Sequence, residues 1–161
     1  MTELNKIVPC LWFDTQAEEA ANFYVGVFDD ARILKVTPYG PGLHRPADAV
    51  LTVDFEVQGQ QLTALNGGPE FTFSEAFSLQ VLCDDQAESD RYWYALTADG
   101  GRESRCGWLK DRYGFSWQVF PRELNDLLGD PDPARAERAV KAMLAMGRID
   151  VAQVRRAADA G

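Results

Sequence analysis

Asp14-Thr15-Gln16-Ala17-Glu18 returns 70 residues later as Asp84-Asp85-Gln86-Ala87-Glu88. The echo continues in Phe23-Tyr24 and Trp93-Tyr94, in Asp29 and Asp99, and in Arg32 and Arg102. Self-similarity at a fixed offset is the mark of a duplicated supersecondary unit. Each copy follows a short apolar run, Val8 to Phe13 and Phe77 to Cys83, that reads as a buried strand. Each copy also starts a helix. Thr15 with Glu18, and Asp85 with Glu88, have the spacing of a capping box, in which the first side chain accepts from the third helical N–H. Ala17, Ala20, Ala21, Tyr24, Val27 and Phe28 then recur at steps of three and four and give the first helix one apolar face. The second helix is less regular, because Asp90 and Arg91 fall where its counterpart is apolar, and it stops at Asp99-Gly100-Gly101.

Three strand candidates follow each helix. In the first half they are Arg32–Thr37, Ala49–Val57 and Gln61–Asn66, the last two joined through Gln58-Gly59-Gln60. Thr52 to Val57 alternates with period two, as a half-buried antiparallel strand does. In the second half they are Arg102–Ser104, Gly107–Leu109 and Phe115–Phe120, with Asp111-Arg112-Tyr113-Gly114 as a turn. The order βαβββ therefore occurs twice. The chain is predicted to be a single α+β domain over residues 1–161, with module one at about 6–66, module two at about 76–121 and a helical tail at about 123–158. The two modules are expected to form a cupped mixed or antiparallel sheet around a small-molecule pocket. In the tail, Asp132-Pro133 supplies a cap and a first-turn proline, Ala136, Val140, Met143 and Leu144 form a stripe, and Asp150 starts a last helix through Val151 and Val154. That stripe is expected to pack on the chain's own sheet or on a dimer mate.

Composition narrows the partners. The 161 residues carry 25 Asp and Glu against 16 Lys and Arg, a net charge of −9, and no basic stripe interleaved with aromatics. Such a surface repels phosphate backbones, so nucleic acid is not expected. No apolar run approaches a membrane span, and Met1 to Lys6 lacks the order of a signal peptide, which makes the cytoplasm the expected location. Cys10, Cys83 and Cys106 form no CxxC pair and read as free thiols, and a single histidine, His44, excludes a finger-type zinc site.

Strand parity selects the candidate pocket. If Leu11 and Val81 pack on the helices, Cys10, Trp12, Gln80 and Leu82 share the opposite face, and Gln118 lies on a matching face with Ser116 and Phe120. A buried amide must find partners, so Gln80 and Gln118 serve either the backbone and water or a ligand. Trp12 is either core or a platform for a planar ligand, and Cys10 either a small apolar wall or a nucleophile. His44 sits in Gly40-Pro41-Gly42-Leu43-His44-Arg45-Pro46, either as an exposed loop residue or as part of a lid.

The run from Cys106-Gly107-Trp108-Leu109-Lys110 through Asp111-Arg112-Tyr113-Gly114 to Phe115-Ser116-Trp117-Gln118 resembles the PhnB-like, 3-demethylubiquinone-9 3-methyltransferase-type branch of the glyoxalase/bleomycin-resistance/dioxygenase superfamily, the vicinal oxygen chelate group. Leu11-Trp12-Phe13-Asp14, Ala64-Leu65-Asn66-Gly67-Gly68-Pro69 and Asp130-Pro131-Asp132-Pro133 resemble the same branch, so the likeness runs from about Ile7 to Val154. It implies paired βαβββ modules and a homodimer. Metal-dependent members of that superfamily place His or Gln on the first strand of a module and Glu on its last. Here those positions hold Cys10 and Gln80, then Gln118 and either Thr63 or Asn66, and neither carboxylate nor imidazole is among them. Neutral amides alone bind hard divalent cations weakly. The expectation is no tightly bound metal and no cofactor, with a weakly held divalent cation left open. Gly67-Gly68-Pro69 and Asp99-Gly100-Gly101 read as turns, and no GxGxG-like run opens a helix.

The sequence thus points to a small-molecule-binding PhnB-like protein with Cys10, Trp12, Asn66, Gln80, Leu82 and Gln118 lining its pocket and catalytic residues unassigned. Two alternatives stand beside it. One is a metal-assisted lyase, isomerase or group transferase of the same superfamily, and the other is a resistance-type protein that sequesters an aromatic compound.

Overall fold

In the computed structural model, residues 3–161 are described, and they form two compact units that meet in sequence between Phe73 and Ser74. The first unit runs β1 (Cys10–Phe13), α1 (Ala17–Val27), β2 (Ala31–Pro38), β3 (Val50–Val57), β4 (Gln60–Asn66). Its sheet has the order β1-β4-β3-β2, with β1 parallel to β4 and the other pairs antiparallel. One face is covered by α1. The small residues Ala17, Ala20 and Ala21 let the helix axis approach the sheet, and Tyr24 stacks on Phe55 with ring centroids 6.0 Å apart. Beneath them Val53, Phe55, Leu62 and Ala64 are at most 1% exposed. Burying a side chain such as Leu62 or Phe55 stabilises the unit by about 1.5–3 kcal/mol.

Two local features set the path of this unit. The β3–β4 hairpin closes over Gln58 and Gly59, at φ +50° and +79°, the pair of left-handed residues whose twist matches the strands. Gln58 tolerates that conformation because its N–H and its side-chain amide donate to the carbonyls of Asp30 and Asp29. The start of α1 departs from the expected capping box. Gln16, not Thr15, is the N-cap residue and makes no side-chain cap bond. The cap comes instead from a distant strand: Ala17 N–H donates to Asn66 Oδ1 at 2.8 Å.

The second unit repeats the plan with β5 (Leu79–Cys83), α2 (Gln86–Thr97), β6 (Arg102–Glu103), β7 (Trp108–Lys110) and β8 (Ser116–Pro121). Its strand order, β5-β8-β7-β6 with β5 parallel to β8, is that of the first sheet. Two βαβββ modules in one chain are the arrangement expected from the sequence. Here α2 does begin with the expected cap, Asp85 Oδ1 accepting from Glu88 N–H at 2.9 Å.

The 70-residue offset pairs the strands but not the helix faces. In α1 the buried positions are 17, 20, 21 and 24, whereas in α2 they are Ser89, Tyr92, Trp93 and Leu96, with Tyr94 exposed. The face is rotated because α2 also holds the tail. Gln86 bonds Ile149 O and Val151 N–H, and Asp90 accepts from Arg148 Nη1 at 2.7 Å. Asp90, which seemed to spoil an apolar stripe, is a tail anchor.

The tail comprises α3 (Glu123–Leu128), α4 (Pro133–Leu144) and α5 (Val151–Asp159). Asp132 and Asp150 cap α4 and α5, accepting from Ala134 N–H at 3.0 Å and Gln153 N–H at 3.1 Å. Leu124, Leu127, Ala139, Ile149 and Val154 bury one another against Phe120 of β8. Ala139 is the buried centre of α4, while Leu144 stands 56% exposed and is no part of the expected stripe. Trp117 and Val119 are buried on the face of β8 that carries α2, so Phe120, of opposite parity, shows that the tail covers one end of the other face.

Candidate functional site

Each sheet keeps one face free of its module's helix, and the register fixes which side chains stand there. In the first unit Cys10 pairs with Thr63, Thr63 with Asp54, and Asp54 with Lys35, a polar row crossing all four strands. Thr63 Oγ1 donates to Asp54 Oδ1 at 2.7 Å. Cys10 is exposed as a residue, yet local packing desolvates its thiol and raises its pKa, and the Asp54 carboxylate adds to the effect. That environment holds Cys10 as a thiol and opposes its use as a nucleophile. Asp54 was within reach of the sequence, because it alternates with the buried Val53 and Phe55.

Trp12 stands on the same face but is already engaged. Its Nε1 donates to Gly68 O at 2.9 Å, and Phe71 meets it edge-on at 4.9 Å between centroids. Gly67 lies against the ring so closely that a Cβ there would sit 2.4 Å from two of its carbons. Asn66, expected in the pocket, lies on the other face of β4 at 5% exposure. Its carboxamide is spent on Ala17 N–H and, through Nδ2, on Val50 O at 3.0 Å. It is the bracket that joins β4, α1 and β3. His44 is exposed and rests edge-on to Tyr39 at 5.6 Å, while Arg45 reaches back to Asp14.

In the second unit Gln80 pairs with Gln118 and Gln118 with Trp108. Gln118 Nε2 donates to Ser78 Oγ at 2.9 Å, and Gln80 Nε2 approaches Gln118 Oε1 at 3.4 Å. The two amides therefore answer each other and leave donor and acceptor capacity on the open side. Leu82 is 37% exposed and pairs with Phe120, where the tail begins to cover the face. The next row is Ser116, Lys110 and Arg102, with Lys110 ion-paired to Glu75. Beside Trp108 and along this second row opens a cavity of 520 Å³ lined by Arg102, Arg105, Cys106, Trp108, Lys110 and Ser116 among others, with Gln80 and Gln118 outside its lining. Cys106 adopts φ +59° there, held by its N–H bond to Met146 O at 2.8 Å.

The hairpin from β7 to β8 is built on one buried side chain. Asp111, 2% exposed, accepts from Tyr113 N–H, Phe115 N–H and Trp117 Nε1 at 2.9, 3.1 and 2.9 Å. This fixes the start of β8 and hence the parity that brings Ser116 and Gln118 to the open face. The sequence showed the turn but not its anchor.

The donors suit some groups better than others. Among the described residues no three His, Cys, Asp or Glu side chains converge as a metal site. The amides of Gln80 and Gln118 and the Cys10–Thr63–Asp54 row do not form the carboxylate-rich oxygen cage that a hard divalent cation needs. Nor do the strand-to-helix connections form a phosphate cradle: Asp14-Thr15-Gln16 and Asp84-Asp85 contain no glycine. No helix of the described residues is long and apolar enough to cross a membrane.

Comparison with known proteins agrees with the topology. Residues 5–120 match the family model described as 3-demethylubiquinone-9 3-methyltransferase. The PhnB protein of Bacillus cereus is similar at 31% identity, over 73% of this chain and 99% of that one, with a TM-score of 0.66. A Pseudomonas aeruginosa protein shares the fold at 22% identity, over 71% and 95% of the two chains, with a TM-score of 0.58. No curated protein matches the chain.

Proposed function

We propose that this chain, which belongs to the 3-demethylubiquinone-9 3-methyltransferase family, works as a PhnB-like binder of small organic molecules. The observation that carries this reading is the part of the second sheet's face opposite α2 that the tail leaves open. There a cavity of 520 Å³ is lined by Trp108, Lys110 and Ser116 among others, and Trp108 pairs in register with Gln118, whose own partner Gln80 continues the face beyond that lining. That volume suits a small molecule, and a mostly pre-formed hollow with a few polar groups is the usual form of such a site. Gln80 and Gln118 supply orientation through hydrogen bonds, while Leu82 and Trp108 supply apolar contact. In the first unit Cys10 and Trp12 are the corresponding ligand contacts on its own open face. His44, the one imidazole, is proposed as a loop residue that adjusts access rather than as an acid–base group. The resemblance supports a homodimeric cytoplasmic protein, which light scattering and cell fractionation test.

Ligand-observed NMR with a panel of small organic acids, amides and alcohols tests the reading. At least one member should bind the wild type and lose affinity in the Gln80→Ala/Gln118→Ala variant, with thermal stability little changed. A panel that binds nowhere, or binds both proteins alike, would refute it.

A further inference from the structure

We infer that the cavity beside β6 and β7 is an oxyanion site that takes a small flat organic acid, its carboxylate on Arg102, Arg105 and Ser116 and its ring against Trp108. The inference rests on the proposal that the second unit binds a small molecule, and it names the chemical class. Four observations converge on it. Ser116 is 1% exposed, lines the cavity, and its Oγ has no hydrogen-bond partner. A buried hydroxyl without a partner is costly, and a ligand oxygen arriving in the cavity would relieve that cost. Arg102 and Arg105 line the same cavity, and among the described residues neither guanidinium has an ion pair or a hydrogen bond.

The other charged groups lining the cavity are Lys110, Glu75 and Glu103, which leave the lining with more cations than carboxylates. Lys110 is paired with Glu75, and Glu103 Oε1 accepts from Trp93 Nε1 at 2.8 Å. Two guanidinium forks therefore stand free in a chain of net charge −9, where a cationic pocket is against the general trend. Guanidinium suits carboxylate because its parallel N–H groups match the two oxygens. The cavity is far larger than an inorganic anion needs, and Trp108 offers a flat apolar wall. Both features favour an organic acid over a bare ion.

Titration calorimetry with benzoate, benzamide and inorganic phosphate on the full chain tests this. Benzoate should bind, with affinity falling as salt rises, and benzamide, its neutral counterpart, should bind about tenfold or more weakly. Arg102→Gln/Arg105→Gln should remove that preference. Ser116→Ala should weaken benzoate while leaving thermal stability unchanged or raised, since it deletes an unpartnered hydroxyl; a structural hydroxyl would instead lower stability. Equal binding of benzoate and benzamide would overturn the anion site and leave the small-molecule reading standing. Phosphate binding as tightly as benzoate would overturn the organic-acid assignment. If no probe binds, the inference falls, and the amide, alcohol and Gln80→Ala/Gln118→Ala results decide the broader reading separately.

Discussion

Replacing Asp111 by Ala should damage the second unit more than any exposed substitution in it. The side chain is 2% exposed and accepts three hydrogen bonds, two from the turn backbone and one from the buried Trp117 indole. Alanine leaves those donors without acceptors in a place water reaches poorly. Bonds to a carboxylate contribute about 1.5–3 kcal/mol each, and partial relaxation of the half-buried turn lowers the sum, so the loss should be about 3–5 kcal/mol. For a chain of this size that corresponds to a fall in Tm of roughly 10 °C. Urea unfolding followed by far-UV circular dichroism reads the free energy. A cycle with Trp117→Phe isolates the indole bond, and its coupling energy should be about 1–2 kcal/mol. A loss under about 1 kcal/mol for Asp111→Ala, or no coupling, would refute the view that Asp111 organises the hairpin.

Four other outcomes follow from named contacts. Asn66→Ala should cost about 2–3 kcal/mol, because it removes both the α1 cap and the bond to Val50 O, and chemical denaturation measures it. The Cys83 thiol, pushed up to about 12 by burial, should resist iodoacetamide at pH 8 in the folded chain. Cys10 should react, and faster still in Asp54→Asn, because removing a neighbouring negative charge lowers the thiol pKa; peptide mass mapping gives both rates. Glu123 accepts both Arg155 bonds, at 2.8 and 2.6 Å, and these hold its carboxyl below the ordinary 4.5. Its contribution is therefore complete above that pH and lost as pH falls through the lowered value. Since both side chains are more than 40% exposed, Glu123→Gln should cost under about 1 kcal/mol at pH 7 and nothing at pH 2 in urea titrations.

Much of the fold was legible because the duplication fixes the order of elements and period-two alternation fixes which strand residues are buried. Gln80, Leu82 and Gln118 were placed on an open face by parity alone, and so were Cys10 and Trp12. Local signals failed where the partner is distant. Thr15 and Glu18 satisfy a spacing rule, but the α1 N–H found Asn66, 49 residues away, and that bond turned Asn66 from a pocket residue into a bracket. Asp90 looked like a defect in a helix face because its partner, Arg148, lies 58 residues on. The cavity cluster was missed for the same reason: Arg102, Arg105 and Ser116 come from β6, the following loop and β8, and only strand pairing assembles them. The six-residue α3 carried too few turns to show a periodicity.

The central claim is that the open face of the second sheet holds a small molecule. Native mass spectrometry of freshly purified wild-type chain and of Gln80→Ala/Gln118→Ala tests it most directly. The account predicts a stoichiometric small-molecule adduct on the wild type that is depleted in the variant. Adduct-free wild type, or identical adducts on both proteins, would contradict it.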